Sequence, residues 1–260
     1  MFEHITRKRF GQHFLNDDGV IHSIINTIGP QHKKTLVEIG PGRGAITLPL
    51  LEYDVHMHLI EIDRDLVKWW REKQQQGLNI DVHEADVLRF DFNELGSQEN
   101  PIHLIGNLPY NISTPLFFRL IDFHSIIADM CFMVQKEVAL RLTAQPGEKP
   151  YGQLSVWLQL HYQTELLFDV APGSFSPPPK VDSSIIRMQP HTKPPVEVTN
   201  KEQFHKFIKA AFAQKRKTLR NNLKKILSAE QMQTAGIDPS RRAETLTLKE
   251  FAALYTQLEK

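Results

Sequence analysis

The stretch TLVEIGPGRGAIT, residues 35–47, sets the reading of the whole chain. An apolar run over residues 35–40 leads into a loop with glycines at positions 40, 42 and 44, and then into helix-forming residues. Glycine has no Cβ, so such a backbone turns sharply and lets a ligand approach closely. A loop of this kind at a helix N-terminus suits a nucleotide. The spacing narrows the choice. A dinucleotide fingerprint reads G-x-G-x-x-G, whereas the order here is E-x-G-x-G-x-G with Glu38 leading. An acid in that place repels a pyrophosphate and attracts a sulfonium ligand that carries an α-amino group. Glu38, Gly40, Gly42 and Gly44 therefore point to S-adenosylmethionine, with another nucleotide or a structural turn as alternatives.

Outward from the loop, VHMHLIEID (residues 55–63), IDVHEAD (80–86) and IHLIGN (102–107) are further short apolar or β-branched runs. Helix-length segments separate them, GAITLPLLE and DLVKWWREKQQ among them, and STPLFFRLID follows the last. That alternation predicts βαβ units, a parallel sheet and a Rossmann-like α/β fold. DMCFMVQ, HYQTELLFDV and VDSSIIRMQP read as later strands, and KEVALRLTA (136–144) as a helix. Two acids fall where a nucleoside needs them. Glu61 ends the second strand about 20 residues past the glycines, where a carboxylate accepts ribose hydroxyl protons. Asp86 ends the third strand, placed for an adenine amino group, although Asp63 and Asp86 would serve equally as helix caps. A charged Glu61 late in an apolar strand demands a partner.

The fourth strand ends in GNLPY. An adenine N6 amine is a poor nucleophile because its lone pair is delocalised into the ring. Two acceptors facing its protons favour a pyramidal nitrogen with the lone pair aimed at a methyl group. The Asn107 side-chain oxygen supplies one acceptor and a carbonyl near Leu108 the other. Pro109 biases Leu108 away from helix, which frees that carbonyl for the cleft. Tyr110 offers a face for a flipped-out base. The chemistry expected is direct displacement by N6 at the sulfonium methyl, assisted by positioning and charge placement without a dedicated strong base.

Past residue 190 the composition changes. QPHTKPPVEVTN reads as a linker and the rest as all-helical, which divides the chain into domains 1–190 and 191–260. Residues 191–260 hold 14 Lys and Arg against 7 Asp and Glu, while residues 1–190 hold 17 against 23. This asymmetry makes the terminal segment a candidate footprint for a polyanion. In QKRKTLRNNLKK, Lys215, Arg216, Lys217, Arg220 and Lys224 have no acid among them, and a continuous helix would set Lys217, Arg220 and Lys224 on one face, opposite Leu219, Leu223 and Ile226. Arg7, Lys8 and Arg9 would extend that basic surface. Thr247 and Glu250 make a capping box for a last helix. The single cysteine, Cys131, lies in an apolar run and reads as a buried, inert thiol. The N-terminal residues lack the apolar segment of a secretory signal, and no apolar run nears a membrane span, so the expectation is a soluble, cytoplasmic protein. Trp69 and Trp70 read as helix packing. His56 and His58 share a strand face, yet no third ligand has metal spacing, so no metal site is expected.

KRFGQHFLND, VEIGPGRGAIT, LIEIDRDL, ADVL, GNLPYNIS and SFSPPPKVDSSI, in order over nearly the whole chain, resemble the ribosomal RNA adenine N6-dimethyltransferases, their bacterial small-subunit branch above all. The resemblance implies a class I S-adenosylmethionine-dependent domain with a small helical domain behind it. It implies dimethylation of two adjacent adenosines near the 3′ end of 16S rRNA, in the 30S subunit or its precursor, by a monomer active in ribosome biogenesis. By position it sets His13 and Leu15 over the cofactor with Gln12 nearby, and Gly40 at the methionine portion. Glu61 with Ile62, Asp86 with Val87, and Asn107 complete the cofactor set, and Phe175 looks like a second aromatic closing on the base opposite Tyr110. His13 stands where many relatives have asparagine. The rivals are a large-subunit rRNA adenine methylase of the macrolide-resistance type, a non-catalytic RNA-binding assembly factor, and an NAD oxidoreductase, which would need the other glycine spacing.

Overall fold

The computed structural model describes residues 13–30 and 35–258. These divide into two compact units: the residues up to Ala139 together with Glu165–Pro190, and Leu140–Thr164 together with those from His191 onward. The second unit thus takes in a segment that a boundary at residue 190 assigns to the first.

The first unit is built on a seven-stranded sheet. Its strands are β2 (Thr35–Ile39), β3 (His56–Glu61), β4 (Ile80–Glu84), β5 (Ile102–Asn107), β6 (Ile127–Gln135), β7 (Tyr162–Val170) and β9 (Ser183–Pro190). They lie in the order β4-β3-β2-β5-β6-β9-β7. From β4 to β6 every pairing is parallel, and β9 runs antiparallel to β6. The parallel strands connect through α2 (Thr47–Leu51), α3 (Arg64–Gln75) and α4 (Ser113–Leu120). Strands covered on both faces need near-continuous apolar runs. Leu36, Val37, Met57, Leu59, Leu104, Met130 and Phe132 accordingly have almost no exposure. Chain order reverses between β2 and β5, and in such sheets the crevice beyond the strand C-termini at that point is where ligands bind.

Two local features position the site. The helix expected from Gly44 starts only at Thr47, because residues 42–43 and 45–46 lie in turns and the Gly44 amide donates to the Pro41 carbonyl at 2.9 Å. Gly106 sits where β5 passes β2. A Cβ there would meet the Ile39 carbonyl oxygen at 2.5 Å, and its φ is +157°. Only glycine lets the two strands approach that closely as the chain turns out toward Asn107. Cys131 is buried in β6, and burial pushes its thiol up to about 12, which leaves it inert near neutral pH.

The second unit is helical apart from the start of β7, with α6 (Gln153–Gln159), α7 (Lys201–Ala211), α8 (Leu219–Leu223), α9 (Ala229–Thr234) and α10 (Leu248–Thr256). α5 (Lys136–Thr143) spans the division between the units. Phe204, Phe207, Ile208, Leu219, Leu223 and Phe251 fill its interior. The Thr247–Glu250 capping box forms as expected. The basic stretch departs from expectation. Residues 214–218 are not helical, so Lys217 precedes α8, Arg220 lies on it and Lys224 is its C-cap. The Asn222 side chain donates to the carbonyls of Ala211 and Gln214, closing α7 and turning the chain. The break also sends Leu227 inward and leaves Ile226 exposed. Among the described residues no helix is long and apolar enough to cross a membrane.

Candidate active site

A cavity of about 810 Å³ opens at the C-terminal ends of β2, β3, β4 and β5, lined wholly by residues of the first unit. Its wall includes Glu38, Gly40, Gly42 and Gly44, then Glu61 and Ile62, Asp86 and Val87, and the run from Asn107 to Tyr110, with His13 and Leu15 on the remaining side. Gln12, Arg7, Lys8 and Arg9 lie outside the described residues.

The glycines differ in their work. Gly40, at φ +67°, has open space where a Cβ would point, which leaves a cradle for a ligand. At Gly44 a Cβ would meet the Trp70 ring at 2.8 Å. Trp70, fully buried, packs beneath the loop and donates its Nε1–H to the Gly42 carbonyl at 3.0 Å. The packing role expected for this tryptophan is thus specific: it holds the loop in shape.

The acids have partners that the sequence reading did not name. Glu38 is buried and accepts a 2.5 Å hydrogen bond from the Thr47 hydroxyl at the start of α2. Burial, helped by the nearby Glu61 charge and opposed by Thr47, pushes its carboxyl up to about 7. Glu61 Oε1 accepts from the Ile62 and Asp63 amides, both at 2.9 Å. Burial still raises its carboxyl above the ordinary value, against the lowering effect of those amides. Asp63 does cap α3. Asp86 accepts from the Leu88 amide at 3.0 Å, so it serves its own turn while lining the cavity.

Asn107 Nδ2 donates to the His13 carbonyl at 3.1 Å. A carbonyl only accepts, so this bond commits the amide nitrogen to His13 and leaves Oδ1 as the acceptor. The Leu108 amide donates to the Met133 carbonyl, and no described group donates to the Leu108 carbonyl. The Pro109 carbonyl, by contrast, is taken by the Ile112 amide and the Ser113 hydroxyl. Tyr110 is fixed by a 3.1 Å hydrogen bond to the Ser183 hydroxyl and by the His13 ring, stacked at 5.7 Å between centroids. His13 is itself held by the Pro177 carbonyl at 2.8 Å.

Phe175 does not join this wall. The two short strands β1 (Phe14–Leu15) and β8 (Phe175–Ser176) pair antiparallel, with Leu15 opposite Phe175 and Phe14 opposite Ser176. Side chains alternate along a strand. Ser176 lines the cavity, while Phe175 turns into the apolar core, 4% exposed. The aromatic pair about a base is therefore not assembled from Tyr110 and Phe175 in this arrangement. The same pairing ties Phe14–Leu15 to Phe175–Ser176, from two stretches far apart in the sequence. Phe14, whose ring would meet a Cβ on Gly42 and which carries the Arg43 guanidinium 4.5 Å above it, is a wall residue that the sequence reading missed.

Lys215, Arg216, Lys217, Arg220 and Lys224 are all exposed on the second unit. They cluster around the α7–α8 turn rather than along a helix face.

A reversed parallel sheet, an open glycine cradle and an acid at the end of each of three neighbouring strands define an S-adenosylmethionine-dependent methyltransferase. The comparisons carry this further. The family profile described as ribosomal RNA adenine dimethylase matches residues 3–260. A protein of Alcanivorax borkumensis named ribosomal RNA small subunit methyltransferase A is 50% identical over 98% of this chain and 90% of its own length. The protein of that name in Saccharophagus degradans is 49% identical over 98% and 95%. Among solved structures, a dimethyladenosine transferase from Plasmodium falciparum superposes with a TM-score of 0.81 at 24% identity, over 95% of this chain and 98% of that one. The 23S rRNA methyltransferase ErmE gives 0.75 at 24% identity, over 95% and 100%. These two likenesses speak to the fold alone. The chain belongs to the ribosomal RNA adenine dimethylase family. It is an S-adenosylmethionine-dependent enzyme.

Proposed function

We propose that the protein dimethylates N6 of two adjacent adenosines near the 3′ end of 16S rRNA, in the 30S subunit or its precursor, as a monomeric cytoplasmic enzyme of small-subunit assembly. The observation that carries the chemistry is the Asn107 amide, anchored through its nitrogen to His13 so that its oxygen stays available at the cavity wall. The choice of small-subunit rRNA rests on relatives of that name at about half identity.

S-adenosylmethionine supplies an activated methyl group when bound, and the residues present fit it. The open side of Gly40 accommodates its methionine portion, Glu38 its ammonium, Glu61 with Ile62 its ribose, and Asp86 with Val87 its adenine. Asn107 Oδ1 and the Leu108 carbonyl hold the two protons of the substrate amine and so turn its lone pair away from the ring. Tyr110, braced by Ser183 and His13, presents a fixed face for the base. No side chain is required to remove a proton beforehand. Incubating the protein with labelled methyl donor and unmethylated 30S particles should give N6,N6-dimethyladenosine at two adjacent positions of 16S rRNA; label confined to 23S rRNA would overturn the assignment.

Glu38 gives cofactor binding a pH dependence. A carboxyl near 7 is mostly neutral at pH 6 and mostly ionised at pH 8, and the cofactor's ammonium prefers the ionised form. Affinity should rise about tenfold between those values, and Glu38→Gln should flatten the rise, measurable by calorimetry. Linkage has the opposite sign for the free protein. The folded value lies above the ordinary 4.5, so stability supplied by the proton is full below that pH and is lost as pH climbs through about 7.

The second unit's basic cluster contacts RNA phosphates in this reading. Alanine at both Lys217 and Arg220 should weaken RNA binding and make the plot of log affinity against log salt shallower by roughly 2. An unchanged slope would remove these residues from the interface.

A further inference from the structure

β3 and β4 carry a side-chain cluster separate from the cavity. His56 and His58 project from one face of β3, and Asp81 pairs with His58 across the parallel register. Asp81 lies far along the sequence from both, so no spacing rule reveals it, and the expectation that the two histidines lack a third ligand is corrected here. Asp81 Oδ2 is 2.9 Å from His56 Nε2 and 3.7 Å from His58 Nδ1. Tetrahedral coordination with ligands about 2.0–2.2 Å from the ion sets neighbouring donor atoms roughly 3.4 Å apart, and the two distances bracket that value. Among the described residues no other group of three such side chains comes together.

We propose that His56, His58 and Asp81 bind a borderline divalent transition metal such as Zn²⁺ across the β3–β4 strand pair, on side chains that line no part of the cofactor cavity. The surroundings suit a ligand set. The Gln74 amide donates to Asp81 Oδ1 at 3.1 Å and thereby aims Oδ2 at the histidines. Asn79 Oδ1 lies 2.8 Å from His56 Nδ1 and accepts from it, which leaves Nε2 of that ring for the ion. Outer partners of this kind orient metal ligands. His56 and Asp81 side chains are 40% and 47% exposed, which gives an ion access from solvent. His56, His58 and Asp81 leave a fourth position for water. The bound ion would clamp edge strand β4 to β3, the strands that lead to Asp86 and Glu61.

The test uses the full-length protein, stripped with chelator and titrated with Zn²⁺ alone. One saturable equivalent is expected, together with a rise in Tm and, with Co²⁺ as probe, visible absorption of a low-symmetry site. Asp81→Asn and His58→Ala should weaken binding at least tenfold and abolish the Tm rise; Asn79→Ala should weaken it about 10- to 100-fold. His56→Gln, at an exposed position, serves if the other variants fail to fold. Absence of a saturable equivalent, or binding undiminished in His56→Gln, would overturn the site.

Discussion

Replacing Asn107 by alanine should lower single-turnover methylation at saturating cofactor by roughly 10²–10³-fold, the usual loss when one preorganised polar group facing a reacting centre is removed. Cofactor affinity should fall by less than about tenfold, since one ordinary hydrogen bond is at stake. The split follows from geometry. Asn107 sits at the end of β5 with its nitrogen bound to the His13 carbonyl and its oxygen left to accept. In the proposed arrangement the cofactor retains Glu38, the Gly40 cradle, Glu61 and Asp86, which line the rest of the wall. Truncating the side chain would remove the proposed acceptor for the substrate amine without touching those groups. Equal losses in rate and in cofactor affinity would make Asn107 a binding residue only.

Gly106→Ala should be the most damaging single methyl group in the first unit. The added carbon would lie 2.5 Å from a backbone oxygen, that of Ile39, which cannot rotate away as a side chain can. The backbone angle at this position also disfavours any residue with a Cβ. Overpacking and strain together should cost about 3 kcal/mol or more, read as a lower urea midpoint with an unchanged slope. Any folded fraction should methylate poorly even with cofactor bound, because β5 cannot return to register without shifting Asn107, and a displacement of about 1 Å can cost about 10²-fold in rate. A variant within about 1 kcal/mol of the parent would contradict this account of the β2–β5 contact.

The elements legible in the sequence were those fixed by local rules. Apolar runs of strand length separated by helical segments identify β2 to β5, and the glycine loop with its leading acid identifies the cofactor, because backbone freedom and charge act over a few residues. What escaped depends on long-range register. β9 enters the sheet between β6 and β7 against chain order, and Asp81 reaches His56 and His58 only through strand pairing. Phe175 turns inward because β8 pairs with β1, a partner about 160 residues earlier. Gly106 needs its glycine for a neighbour, Ile39, that no local pattern shows. The basic stretch misled for a different reason: Asn222 competes for the carbonyls that a continuous helix would have used.

A structure of the protein with S-adenosylhomocysteine and an RNA carrying the target adenosine addresses the proposed chemistry most directly. The adenine N6 is expected within about 2.7–3.2 Å of both Asn107 Oδ1 and the Leu108 carbonyl oxygen, with the ring against Tyr110. An amine seated elsewhere in the cavity, or an Asn107 amide turned from it, would contradict that chemistry.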